Sequence, residues 1–87
     1  MADAVDPVLL GEVLALVAAA AGCAVDEVRP EGLLIGYGID SVRAVELLDE
    51  ANERFGVALD EADLRRFTTV AEVARCIGAR RAAARSP

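Results

Sequence analysis

The chain has no histidine, no lysine and no tryptophan, and its aromatic side chains are one tyrosine and two phenylalanines. Without histidine there is no Ser-His-Asp arrangement, because no side chain of ordinary pKa is poised to take a serine proton near neutrality. No G-x-S-x-G elbow, phosphate-cradling P-loop or zinc-ligand spacing occurs either. A nucleophile needs a base that this chain does not supply, so the residues point away from an enzyme. Cysteine is scarce: Cys23 and Cys76 form neither a disulfide framework nor a metal-ligand cluster. They read as small buried hydrophobes, and no metal site is expected. The absence of lysine fits the codon usage of a GC-rich genome. Long hydrophobic runs are missing too. Val8 to Ala21 is apolar, but Gly11 and Glu12 interrupt it and it is too short to span a bilayer. Met1-Ala2-Asp3 opens acidic, without the basic start of a signal peptide. The expectation is a soluble cytoplasmic protein.

Eighty-seven residues make one domain, with a modest core and little room for an enclosed active site. Alanine dominates the 55% hydrophobic content, which favours packed helices over sheets. The net charge of −6 is unevenly spread. All 15 acids lie before residue 75, whereas Arg75, Arg80, Arg81 and Arg85 follow. An acidic body repels nucleic acid and anionic membrane and suits basic protein partners. It also keeps a small domain soluble.

Helical signals run in order along the chain. Asp6-Pro7 is a cap followed by proline at the first helical position. Leu9, Val13, Leu16, Val17 and Ala20 then recur as one stripe, and Gly22 is a stop. Helix I is expected over about 7–21. Residues 22–40 form a long connection in which Pro30, Gly32, Gly36 and Gly38 prevent a continuous helix. Val25, Val28, Leu33, Leu34 and Ile35 are too apolar for a free linker and are expected to plug the bundle. Asp40 caps helix II, Gly56 ends it, and Ala44, Leu47, Leu48, Ala51 and Phe55 share its core face. Val42, Glu46, Asp49 and Glu53 fall opposite. Asp60 caps a brief helix III at about 61–66. Thr69 and Glu72 match a reciprocal capping box before helix IV, which buries Val70, Val73, Ala74 and Ile77. Gly78 is one place for it to end; Ala79 to Arg85 are also compatible with a fraying continuation. Ser86-Pro87 reads as a tail. No repeats occur. The expected fold is all-α: an irregular four-helix bundle of three longer helices, a short helix III and a long helix I–II loop, with its core at 7–78 and a basic C-terminal tail at 79–87.

Ser41 stands out. It opens helix II behind a glycine and an acidic cap, where the helix's positive end favours a phosphate. An Asp-Ser pair at a helix start is also ordinary capping chemistry. The surroundings decide between these readings: a small acidic bundle, an apolar but glycine-punctuated loop before the serine, and an acidic exposed face around Val42. A serine so placed reads as one that is modified rather than one that attacks.

These residues resemble the acyl carrier protein family of fatty-acid, polyketide and nonribosomal pathways. Gly38-Ile39-Asp40-Ser41-Val42 is similar to the family's G-x-D-S-L attachment motif. Val45-Glu46-Leu47, Phe55-Gly56-Val57, Thr68-Thr69-Val70 and Pro30 match further positions, so the similarity covers about residues 8–77. The resemblance implies a non-catalytic carrier. Ser41 receives a 4'-phosphopantetheine group from coenzyme A through a phosphopantetheinyl transferase, and the arm's thiol holds acyl intermediates as thioesters. Asp40 caps the helix, helps place the transferase's metal, or both; the metal role comes from the resemblance alone. Gly38 lets an enzyme approach closely. The motif departs from the family at Val42, where leucine is usual, at Arg43, a cation beside the attachment point, and at Asp49, often apolar in fatty-acid carriers. Val42, Arg43, Val45, Glu46, Asp49 and Glu53 are accordingly expected to form a surface for dedicated partners in polyketide, antibiotic or related specialised metabolism. The partners implied are the transferase and acyl-loading enzymes, a ketosynthase, an acyltransferase or adenylation-type enzymes. A free-standing protein is expected from Met1 and the short tails, and a monomer is expected as well. An aminoacyl or peptidyl carrier, and a small helical interaction module without a prosthetic group, are the alternatives.

Overall fold

In the computed structural model, which describes residues 6–85, the helices are α1 (Pro7–Ala21), α2 (Ser41–Phe55), α3 (Glu61–Leu64) and α4 (Val70–Arg85). No strand occurs among the described residues; the architecture is the irregular four-helix bundle that the periodicity predicts. The proposed tail at Ser86-Pro87 lies outside the described residues.

Local chemistry sets the helix ends. Asp6 accepts a bond from the Val8 amide at 3.1 Å, and Gly22, at φ 72°, ends α1 in the left-handed conformation. Asp40 accepts from the Arg43 amide at 3.0 Å, and Gly56 closes α2 at φ 64°. The core forms where the apolar faces meet. Leu9, Val13, Leu16 and Val17 of α1 are buried with Leu47, Leu48 and Ala51 of α2 and with Val70, Val73, Ala74, Cys76 and Ile77 of α4. Ala20, Ala44 and Phe55 are half-buried at its margin. Burial raises the pKa of the Cys76 thiol, leaving it a core hydrophobe. Cys23 is half-buried, and both cysteines are free.

Four local expectations change. α3 is one turn and ends at Leu64 rather than at 66, because the chain tightens there. The Arg66 amide bonds to the Asp63 carbonyl and the Phe67 amide to the Leu64 carbonyl, three residues back in each case. Helix α4 runs through Gly78 to Arg85, so residues 79–85 are the continuation rather than a tail. The capping box at its start is half formed. Thr69 Oγ1 accepts from the Glu72 amide, but the Glu72 carboxylate pairs with Arg75 instead of reaching back.

The fourth change concerns the connection between α1 and α2. Val28 and Leu34 are buried as expected, whereas Val25, Leu33 and Ile35 are exposed and do not plug the bundle. Two 3-10 turns, Val25–Glu27 and Leu34–Tyr37, decide this. With three residues per turn, Leu34 and Tyr37 face inward together while Ile35 faces out. Tyr37 lies across Gly32, where a Cβ would come within 2.3 Å of the phenolic oxygen, and that oxygen accepts a bond from the Arg29 amide. Ile39, unassigned from sequence, is buried in place of the exposed three.

Leu48→Ala removes a buried leucine between α2 and α3. It is expected to lower unfolding free energy by about 2–5 kcal/mol in chemical denaturation, as for other core leucine truncations.

Candidate functional site: the exposed start of helix α2

The backbone bonds on either side of Ser41 hold it at the surface. The loop before it is pinned to the start of α4: the Leu34 amide bonds to the Thr68 carbonyl at 3.0 Å, Val70 to Gly32 at 3.1 Å and Ala71 to Pro30 at 2.8 Å. With Thr69 capping Glu72, the first-turn amides of α4 are spent inside the protein. Helix α2 is different. Asp40 takes up the Arg43 amide, but among the described residues the amides of Ser41 and Val42 have no acceptor. They remain open at the positive end of a 15-residue helix. The Ser41 side chain is exposed, and its hydroxyl makes no hydrogen bond among the described residues. Gly38, two residues ahead of the cap, sits at φ 80° with its amide on the Ile35 carbonyl. A Cβ there would meet nothing within 4 Å, so the left-handed backbone, besides the open approach, accounts for glycine.

An open cleft of about 370 Å³ lies beside Ser41. Ile39, Asp40, Ser41 and Ala44 form one side, Leu33, Leu34 and Ile35 another, and Leu64, Arg65, Phe67 and Thr68 the outer wall. The exposed Leu33 and Ile35 thus line the cleft beside the serine rather than fill the core. The spacing of Leu33 and Ile35 gave no signal of this role, because their orientation follows from the bonds to α4.

Downstream, α2 presents Val42, which is 70% exposed, and Val45 to solvent. Glu46, Asp49 and Glu53 are exposed on the same outer side, joined by Glu50, one turn beyond Glu46 and overlooked in the sequence pattern. Arg43 points elsewhere: its Nη1 donates to the Ala20 carbonyl at 2.7 Å, one of the free carbonyls ending α1. Its charge is engaged by the bundle rather than projected over Ser41.

The family profile described as phosphopantetheine attachment site matches residues 11–77. The chain belongs to this family. Members carry a 4'-phosphopantetheine prosthetic group. A similar curated protein is the non-reducing polyketide synthase ausA of Emericella nidulans, 37% identical over 62 residues. That match takes in 71% of this chain and 2% of the length of the synthase. The α2 start fits the prosthetic group of the family: an exposed hydroxyl, two open amides that favour the phosphodiester charge, and a cleft alongside. No helix among the described residues is long and apolar enough to cross a membrane, and no group of acids and cysteines there could hold a metal.

Asp40→Asn separates capping from any carboxylate-specific role, because asparagine caps as well as aspartate. Thermal stability is expected to stay close to wild type, whereas Asp40→Ala is expected to cost about 1 kcal/mol. If capping is the whole role, the rate of prosthetic-group addition, followed by intact mass, is the same for Asp40→Asn as for wild type.

Proposed function

We propose that Ser41 is the attachment point of the prosthetic group and that the chain carries acyl intermediates as thioesters between synthase enzymes. The open start of α2 beside an exposed serine is the observation that supports this most directly. Attachment forms a phosphodiester bond between Ser41 Oγ and the pantetheine phosphate of coenzyme A, and the nucleotide half leaves. The serine proton is taken by a base that the transferase supplies, and coenzyme A's pyrophosphate linkage is the bond broken. When bound, the arm supplies a thiol for thioester linkage. The chain's own residues would hold the anchor: Asp40 fixes the first turn, the unbonded Ser41 and Val42 amides would be available to the phosphate, and Gly38 leaves room for the transferase.

Val42, Val45, Glu46, Asp49 and Glu53 form the partner surface in this reading, with Arg43 at its edge against α1. An apolar contact ringed by carboxylates suits partners with basic rims, through transient and salt-sensitive docking. Polyketide or related specialised metabolism is the proposed setting. It is supported by the similarity to a polyketide synthase and by the departures at Val42, Arg43 and Asp49. The proposed partners are a phosphopantetheinyl transferase and the loading, condensing or acyl-transferring enzymes of such a pathway.

Incubation with coenzyme A and a broad-specificity transferase is expected to add the arm's mass to the wild type and nothing to Ser41→Ala, with helix content equal in both. Absence of the gain with several transferases favours a plain interaction module. The mass of the group carried in the producing organism distinguishes acyl from aminoacyl cargo. Val42→Asp is expected to slow turnover with a partner enzyme while leaving the melting temperature nearly unchanged, because Val42 packs against nothing in the core. Equal losses of both would count against the surface.

A further inference from the structure

The outer wall of the cleft beside Ser41 rests on the shortest α-helix of the fold. Leu64 ends α3, and Arg65, Phe67 and Thr68 follow it directly. A single helical turn does not hold itself, since nucleation costs more than its few bonds return. Two devices fix it. On the α2 side, the Asn52 side chain accepts from the Leu59 amide at 2.7 Å and donates to the Leu59 carbonyl at 3.2 Å, holding the entry to α3. On the α4 side stands Arg80. Its Nε and Nη2 donate to Asp63 Oδ2 at 3.0 and 2.8 Å, and Nη2 also reaches Asp60 Oδ2 at 3.2 Å. The same Asp63 oxygen accepts from the Asp60 amide at 3.0 Å, while Asp60 Oδ1 accepts from the Ala62 and Asp63 amides.

One guanidinium therefore closes a reciprocal capping box and bonds it to α4. Among the described residues, Asp63 is the one buried acid. The other polar link between α3 and α4 there is a weak one, from the Cys76 thiol to the Asp63 carbonyl at 4.0 Å. Arginine suits the place because its planar fork serves two acceptors at once. The Asp63 amide, followed by the Arg80 charge, holds the Asp60 carboxyl below its ordinary pKa, and Asp63 in turn keeps Arg80 firmly protonated.

We propose that Arg80 is a positioning residue for the cleft: by latching Asp63 and Asp60 to α4 it holds α3 as the wall that shields whatever Ser41 carries. The shielding of cargo rests on the carrier function proposed above; the latching of α3 does not. With the latch open, the turn from Asp60 loosens as far as Thr68, whose carbonyl the Leu34 amide still holds, while the α1–α4 core stays closed.

Amide hydrogen exchange on the unmodified protein reads the latch. In Arg80→Met, residues 61–68 are expected to exchange about tenfold faster, the loss anticipated for a charge-assisted pair. Val13, Val17 and Val73 keep their protection, and Arg80→Lys falls between, retaining the charge without the fork. Unchanged exchange at 61–68, or an equal rise throughout the helices, overturns the latch. Arg80→Lys carries the same test should Arg80→Met fail to fold. The second reading uses wild type and Arg80→Lys loaded with an octanoyl arm from octanoyl-coenzyme A. Thioester hydrolysis is expected to be severalfold faster in the variant; equal rates at equal loading overturn the shielding role. A wild type that gains no mass overturns the carrier reading instead, and amide exchange still decides the latch.

Discussion

Three backbone hydrogen bonds between the first loop and the start of α4 organise the rest of the molecule. They join Leu34 to Thr68, Val70 to Gly32 and Ala71 to Pro30. A loop carrying this much apolar surface must lie against the bundle, and its polar backbone must then find partners. The first turn of α4 supplies them. Once so pinned, Leu34 and Ile39 enter the core, Leu33 and Ile35 turn outward, and α2 begins at the surface with two amides unclaimed. The exposed serine follows from where the neighbouring backbone bonds are spent.

Charge is put to two uses. The carboxylates along the outer side of α2 face solvent, where they cost little. Asp63 of α3 and its cap Asp60 are instead paired with Arg80. This makes structural sense of an uneven sequence, acidic for most of its length and basic at the end. Part of that basic segment returns to the acidic body as helix and binds it. Arg43 does likewise on a smaller scale, closing the end of α1. Arg43 and Arg80 thus each bond one element to another.

Membership of the phosphopantetheine attachment family and the local chemistry of α2 bear on the same residues from different directions. The family accounts for the prosthetic group; the open helix start has the chemistry that suits a phosphodiester. The cleft beside Ser41 brings together residues as distant in sequence as Leu33 and Thr68.

Most of the architecture was legible before any coordinates, because its signals are local. Asp6, Asp40 and Asp60 cap the turns that immediately follow them, and Gly22 and Gly56 end helices by adopting a backbone that other residues resist. The core faces of α1, α2 and α4 follow from a period of 3.6 residues. Which apolar loop residues are buried was beyond that reach, as Ile35 and Ile39 show: they are the same residue type, four positions apart, with opposite fates. So were the engagement of Arg43 with Ala20, the continuation of α4 through Gly78, and the Arg80 cluster. Periodicity and capping depend on neighbours within a turn or so. These other features depend on which groups meet after the chain has folded back across 17, 20 or 23 residues, and only the tertiary structure decides that.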